Sequence, residues 1–96
     1  MSRFIVKHEH AAERCPAGHP EMGPMLLKHI SPPNASSAGI TVHGDAVVDG
    51  EHTFYLLLEA QDKEKITQFM APFAQAGTVE IWPTSSCEQV VDRGKC

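Results

Sequence analysis

The chain of 96 residues has no long apolar run. Its longest, Phe54-Tyr55-Leu56-Leu57-Leu58, falls far short of the ~18 residues that a bilayer-spanning helix needs. It has no basic stripe. Eight Lys and Arg stand against twelve Asp and Glu, a formal charge of -4, and this balance argues against nucleic acid as a partner. There is no P-loop, no G-x-G-x-x-G, no H-E-x-x-H and no G-x-S-x-G, so the corresponding nucleotide, zinc-protease and serine-hydrolase signatures are missing. Met1 to Lys7 runs straight into a strand pattern and lacks the apolar core of a secretory signal. A cytoplasmic location is therefore expected, with Asn34-Ala35-Ser36 a chance match to a glycosylation site. Cysteine is scarce and odd in number: Cys15, Cys87 and Cys96. Without an export signal, free thiols or metal ligands are expected rather than a disulfide framework.

What the chain does have is ordinary globular composition, 42% apolar and 21% charged. A length below the ~150 residues of a typical domain predicts one domain over residues 1–96. Its core is expected over about 3–83, with a helical tail over 84–96. The unusual count is histidine: His8, His10, His19, His29, His43 and His52. Imidazole titrates near neutrality and is the commonest metal ligand, so this excess is the main chemical clue.

Phe4 to His10 alternates as a strand, with Phe4, Val6, His8 and His10 on one face. Ala11 to Pro20 reads as a loop. Glu21 to Ile30 reads as a helix, with Pro24 in its first turn and Met25, Leu26, His29 and Ile30 inward. Ser31 before Pro32-Pro33 predicts a capped short helix ending at Gly39. Gly39 to Val48 is the second strand, and Asp49-Gly50 a hairpin turn. His52 to Ala60 is the third strand, apolar on both faces, so it needs a cover on each side. His52 itself is expected in solvent. Asp62 caps a helix over Lys63 to about Ala71, which Pro72 should kink or end. Gly77 suits a helix C′ position. Thr78 to Trp82 is the fourth strand, stopped by Pro83. Two capping boxes, Ser85-x-x-Glu88 and Ser86-x-x-Gln89, precede a tail helix ended by Gly94.

Strand, helix, strand, strand, helix, strand is the ferredoxin-like βαββαβ plan, an α+β fold with a four-stranded antiparallel sheet. Two helices cover one face. The simplest cover for the other is a second copy of the chain, giving a two-fold homodimer built as a dimeric α/β barrel with an extra C-terminal helix.

The phrases Phe4-Ile5-Val6-Lys7-His8, Gly39-Ile40-Thr41-Val42-His43, Thr53 to Ala60 and Val79-Glu80-Ile81-Trp82-Pro83 carry a resemblance. Over residues 3 to 83 the chain resembles the small ferredoxin-like proteins, largely of unknown function, that pair as dimeric α/β barrels. These include small nickel-binding proteins and stress-responsive or monooxygenase-like barrels. The resemblance implies a dimer, and it places His8 and His43 at strand histidines of the nickel-binding relatives.

Three groups could carry chemistry. His8-Glu9-His10 is followed by Cys15 and His19. Residues i and i+2 of a strand share a face about 6–7 Å apart, and two imidazoles at that spacing can close on one ion. The Pro16-Ala17-Gly18 loop could bring Cys15 or His19 back as a third ligand. Such nitrogen and sulfur donors suit nickel, zinc or copper; no organic cofactor is indicated. The plainer alternative is a strand end with half-exposed histidines and an inert loop cysteine. His43 lies two strands from His8, about 9–10 Å away, and the two could line a pocket with Tyr55. Which sheet face carries His8 and His10 is left open by periodicity. Cys87 falls in the first turn of the tail helix, where a thiolate is stabilised; a half-buried structural thiol is the alternative. Cys96 is too far along that helix to pair with it.

Two functions from different classes follow. One is a dimeric transition-metal-binding protein using His8 and His10 with help from Cys15, His19 or His43. The other is a barrel enzyme of monooxygenase-like or isomerase-like type, acting on a small molecule in a pocket of His8, His43 and Tyr55. A stress-associated dimer without chemistry is the third reading.

Overall fold

A computed structural model describes residues 1–96. Four strands form one antiparallel sheet: β1 (Ser2–His10), β2 (Thr41–Val47), β3 (Thr53–Ala60) and β4 (Gly77–Thr84), in the order β2-β3-β1-β4. Helices α1 (Met22–His29), α2 (Pro32–Ser37), α3 (Lys63–Phe69) and α4 (Ala71–Ala74) connect the strands, and α5 (Cys87–Arg93) ends the chain. This is the α+β, ferredoxin-like arrangement that the alternating pattern predicts.

The alternation sorts side chains cleanly. Phe4, Val6 and His8 of β1 and Leu56, Leu58 and Ala60 of β3 are buried on the helix-covered face. Ile66, Phe69, Met70 and Phe73 from α3 and its continuation close over them, with Ala35 and Ile40 at one end. Each large aliphatic side chain so buried contributes about 1.5–3 kcal/mol. Ile5, Tyr55, Leu57 and Trp82 point to the opposite, open face, across which Ile5 pairs with both Leu57 and Trp82.

Several local outcomes differ from the sequence reading, each for a physical reason. Pro83 does not stop β4, which runs on to Thr84. This strand lies at the sheet edge, where a missing N–H can face solvent. Pro72 sits in the first turn of α4, and the helical path breaks earlier, at Met70. Gly77 is not a left-handed cap: only Gly39, Gly50 and Gly94 have positive φ. It is the first residue of β4, so close to β1 that a Cβ there would overlap the Glu9 carbonyl oxygen and stand 2.9 Å from His10 Cα. Met25 is 67% exposed rather than inward. Ser31 donates to the Lys28 carbonyl at 2.6 Å instead of capping α2. Of the two capping boxes, the Ser86–Gln89 pair forms, with both reciprocal hydrogen bonds. A β-bulge between Val42 and Gly44 interrupts the pairing of β2 with β3. No helix is long and apolar enough to cross a membrane.

Candidate metal centre

The site grows out of strand register. β1 and β3 pair so that Glu9 faces Thr53 and His8 faces Phe54. The next step of that ladder sets His10 opposite His52, and the His10 backbone N–H donates to the His52 carbonyl at 3.0 Å. Residues opposite each other on one face bring their Cβ atoms within about 4.5–5.5 Å. The two imidazole centroids accordingly stand 5.3 Å apart. His8, two residues earlier on the same face, lies 5.2 Å from His10 and packs against Phe54 and Phe73 at 5.0 and 5.4 Å.

Cys15 arrives from the loop. A single 3-10 turn over Ala12–Arg14 reverses the chain after β1, and the Cys15 N–H closes it on the Ala12 carbonyl at 3.2 Å. Arg14 donates to the Gln75 carbonyl at 3.4 Å and ties the turn to the segment before β4. The result is a three-donor group. Ligand atoms of His10, Cys15 and His52 all lie within 4.8 Å of one another. Donors sharing one tetrahedral ion at ~2.0–2.3 Å stand about 3.5 Å apart, so about 1 Å of closure by side-chain rotation is enough.

Electrostatics favour neutral rings here. Burial pushes the His8 imidazole below its ordinary range, His10 adds to the shift, and the Thr78 backbone opposes it. Burial also lowers His10, with His52 adding to it. Neutral imidazole is the ligating form. Both ring nitrogens of His10 and Nδ1 of His8 are shielded from solvent and have no hydrogen-bond partner. Such groups are uncommon in folded proteins, where buried polar atoms are nearly always satisfied.

The other residues singled out by sequence lie elsewhere. His19 stays in the loop, where Nδ1 accepts from the backbone N–H groups of Glu21 and Met22 at 3.1 Å each. It thereby caps α1, the task that no Glu21 side chain performs. His43 sits at the bulge of β2 and reaches Glu59 at 3.4 Å on the open face. The sheet therefore stands between it and His8, and Tyr55 is on His43's side. Cys87 is the first residue of α5, exposed and free, as Cys96 is. His29 is occupied structurally: Nε2 lies 2.6 Å from the Phe69 carbonyl and the ring stacks on Phe69 at 4.5 Å.

The structure thus brings together His10 and Cys15, with His8 adjacent, and adds His52. A signal for His52 was present in the sequence. Once the first and third strands are paired in antiparallel fashion with His8 against Phe54, two steps outward place His10 against His52.

A cavity of about 790 Å³ opens between the helix-covered sheet face and α1. His10, Cys15 and His52 line it, together with His8 and with apolar side chains such as Leu26, Ile30 and Phe54. An apolar cavity containing perturbed histidines is what the enzyme reading requires, but Tyr55 and His43 are outside it.

The chain belongs to a family defined by a domain of unknown function, DUF3303, whose profile matches residues 4–95. No curated protein and no solved structure matches it.

Proposed function

We propose that the protein binds one transition-metal ion per chain through His10, Cys15 and His52. The observation that carries this reading is the convergence of two imidazoles and a thiol within 4.8 Å, at a point where both nitrogens of His10 lack any other partner. Two nitrogens and one sulfur fit zinc, nickel or copper, and selection among these depends on geometry and supply more than on residue type. Three protein ligands leave the ion one position for an exogenous ligand.

The same proposal makes the functional unit a homodimer. For its 10.5 kDa, a typical monomer exposes about 5,400 Å²; this chain exposes 6457 Å². Its radius of gyration is 14.2 Å, against about 12.5 Å for a compact chain of this length. The surplus of about 1,000 Å² is close to the ~800 Å² that each partner buries in a stable interface. The open sheet face supplies a suitable surface. Ile5, Tyr55, Leu57 and Trp82 form its apolar part, and Arg3 is paired with Glu59 and Lys7 with Glu9 within the chain; Glu80, opposite Lys7 on β4, has no ion pair of its own. A second copy, related by a two-fold axis, covers the apolar part.

Elemental analysis of the purified protein, followed by Co(II) titration of the chelated form, tests the metal reading. One metal per chain is expected, with thiolate-to-cobalt absorption. His52→Ala and Cys15→Ala should each weaken binding at least about 100-fold, beyond the loss usual for an outer-shell contact. His19→Ala and His43→Ala should leave it unchanged. Equal affinity in all four variants overturns the assignment.

A further inference from the structure

The three donor residues are not buried in solid core but form one wall of the cavity under α1. Its volume, about 790 Å³, lies within the ~300–1,000 Å³ of small-molecule sites, which share a mainly apolar lining with a few convergent polar groups. Leu26 and Leu27 of α1 and Ile30 at its end line it, together with Phe54 and Leu56 of β3 and with Phe73.

Charge decides which head group fits. A divalent ion bound to one thiolate and two neutral imidazoles carries a net charge of +1. In an apolar cavity an uncompensated charge is costly, and one monoanionic ligand at the open position brings the centre to neutrality. Asp45, Glu51 and Arg14 also line the cavity, but all three are exposed, so water screens them and they compensate a charge at the three donors only weakly.

We infer that the cavity is the binding site for a small monocarboxylate with an apolar body, its carboxylate ligating the metal and its body packed between α1 and β3. This rests on the metal reading above, and it adds the ligand class that the reading leaves undefined.

Octanoate, acetate and octylamine, titrated into the Co(II)-loaded native protein and followed by the cobalt d–d bands and by calorimetry, test it. Each buried methylene adds about fourfold in affinity. Octanoate should therefore bind at least about 100-fold more tightly than acetate, even with its chain only partly buried. Octylamine should leave the cobalt spectrum unchanged, and chelated protein should bind octanoate at least tenfold more weakly, roughly the worth of one charge-assisted contact. Octanoate and acetate binding within about threefold of each other, less than the worth of one methylene, overturns the role of the cavity. Octylamine binding as tightly as octanoate overturns the head-group assignment. Failure of cobalt to bind at all overturns the metal reading and this inference with it, an outcome separable from the other two because the cobalt spectrum is recorded first.

Discussion

Replacing Gly77 with alanine should unsettle the sheet and the proposed metal centre together. Gly77 pairs with His10 at the end of the β1–β4 ladder. A methyl group there would overlap the Glu9 carbonyl oxygen and press on His10 Cα at 2.9 Å. Both obstacles are backbone, so no side chain can swing aside, and β4 must move away from β1. The cost has two parts. Overpacking of this kind costs about 1–3 kcal/mol, and each ladder hydrogen bond lost adds about 0.5–1.5 kcal/mol. Together they give about 2–4 kcal/mol, a fall in Tm of roughly 10–25 °C for a domain of this size. Circular-dichroism melts of the chelated protein measure this directly. Because the displaced strand pairs with His10, a proposed ligand, cobalt affinity should fall as well. Gly18→Ala, at a position where an added methyl would meet only open space, should change neither quantity and serves as the control. A Gly77→Ala protein melting within about 3 °C of the native one, well inside the shift of a single kcal/mol, would refute the close-approach argument.

Three further outcomes follow from the same geometry. The metal-free protein should lose stability as pH falls below about 6.5, the ordinary histidine value. Burial holds the folded-state pKa of His8 and His10 below that value, so the unfolded chain takes up protons first; urea midpoints flat from pH 8 to 5 would contradict this. Leu57→Glu should shift the proposed dimer to monomer in sedimentation and lower its melting temperature, while the far-UV circular dichroism of the fold is retained; a dimer that survives would remove the open face from the interface. Asp62→Ala should cost about 1 kcal/mol by thermal or urea unfolding, because its carboxylate caps α3 by accepting from the Lys65 N–H at 3.1 Å.

Much of the fold was legible because Phe4, Val6 and His8, and Leu56 and Leu58, alternate with a period that only a strand satisfies, and because Asp62 and Ser86 are strong caps. The elements that were misread are those set by tertiary surroundings. Pro83 is compatible with a strand only at an edge, and edge position is a property of the assembled sheet. Gly77 carries no local sign that another backbone will approach it. The site was half legible. His10 and Cys15 stood out by type and spacing, but His52 lies forty-two residues from His10, and only strand register unites them. By residue type His19 and His43 also offered themselves as helping ligands. Their actual partners, two backbone N–H groups and Glu59, follow from a helix start and a bulge that composition does not reveal.

Both outer rims of the sheet are broken. The bulge at Val42/Gly44 disrupts the regularity of β2, and Pro83 removes a donor from β4. A further strand cannot add smoothly to either side, so growth of an endless cross-β ribbon is discouraged. Self-association through the face of the sheet, as proposed above, would instead be closed by a two-fold axis and stop at a pair.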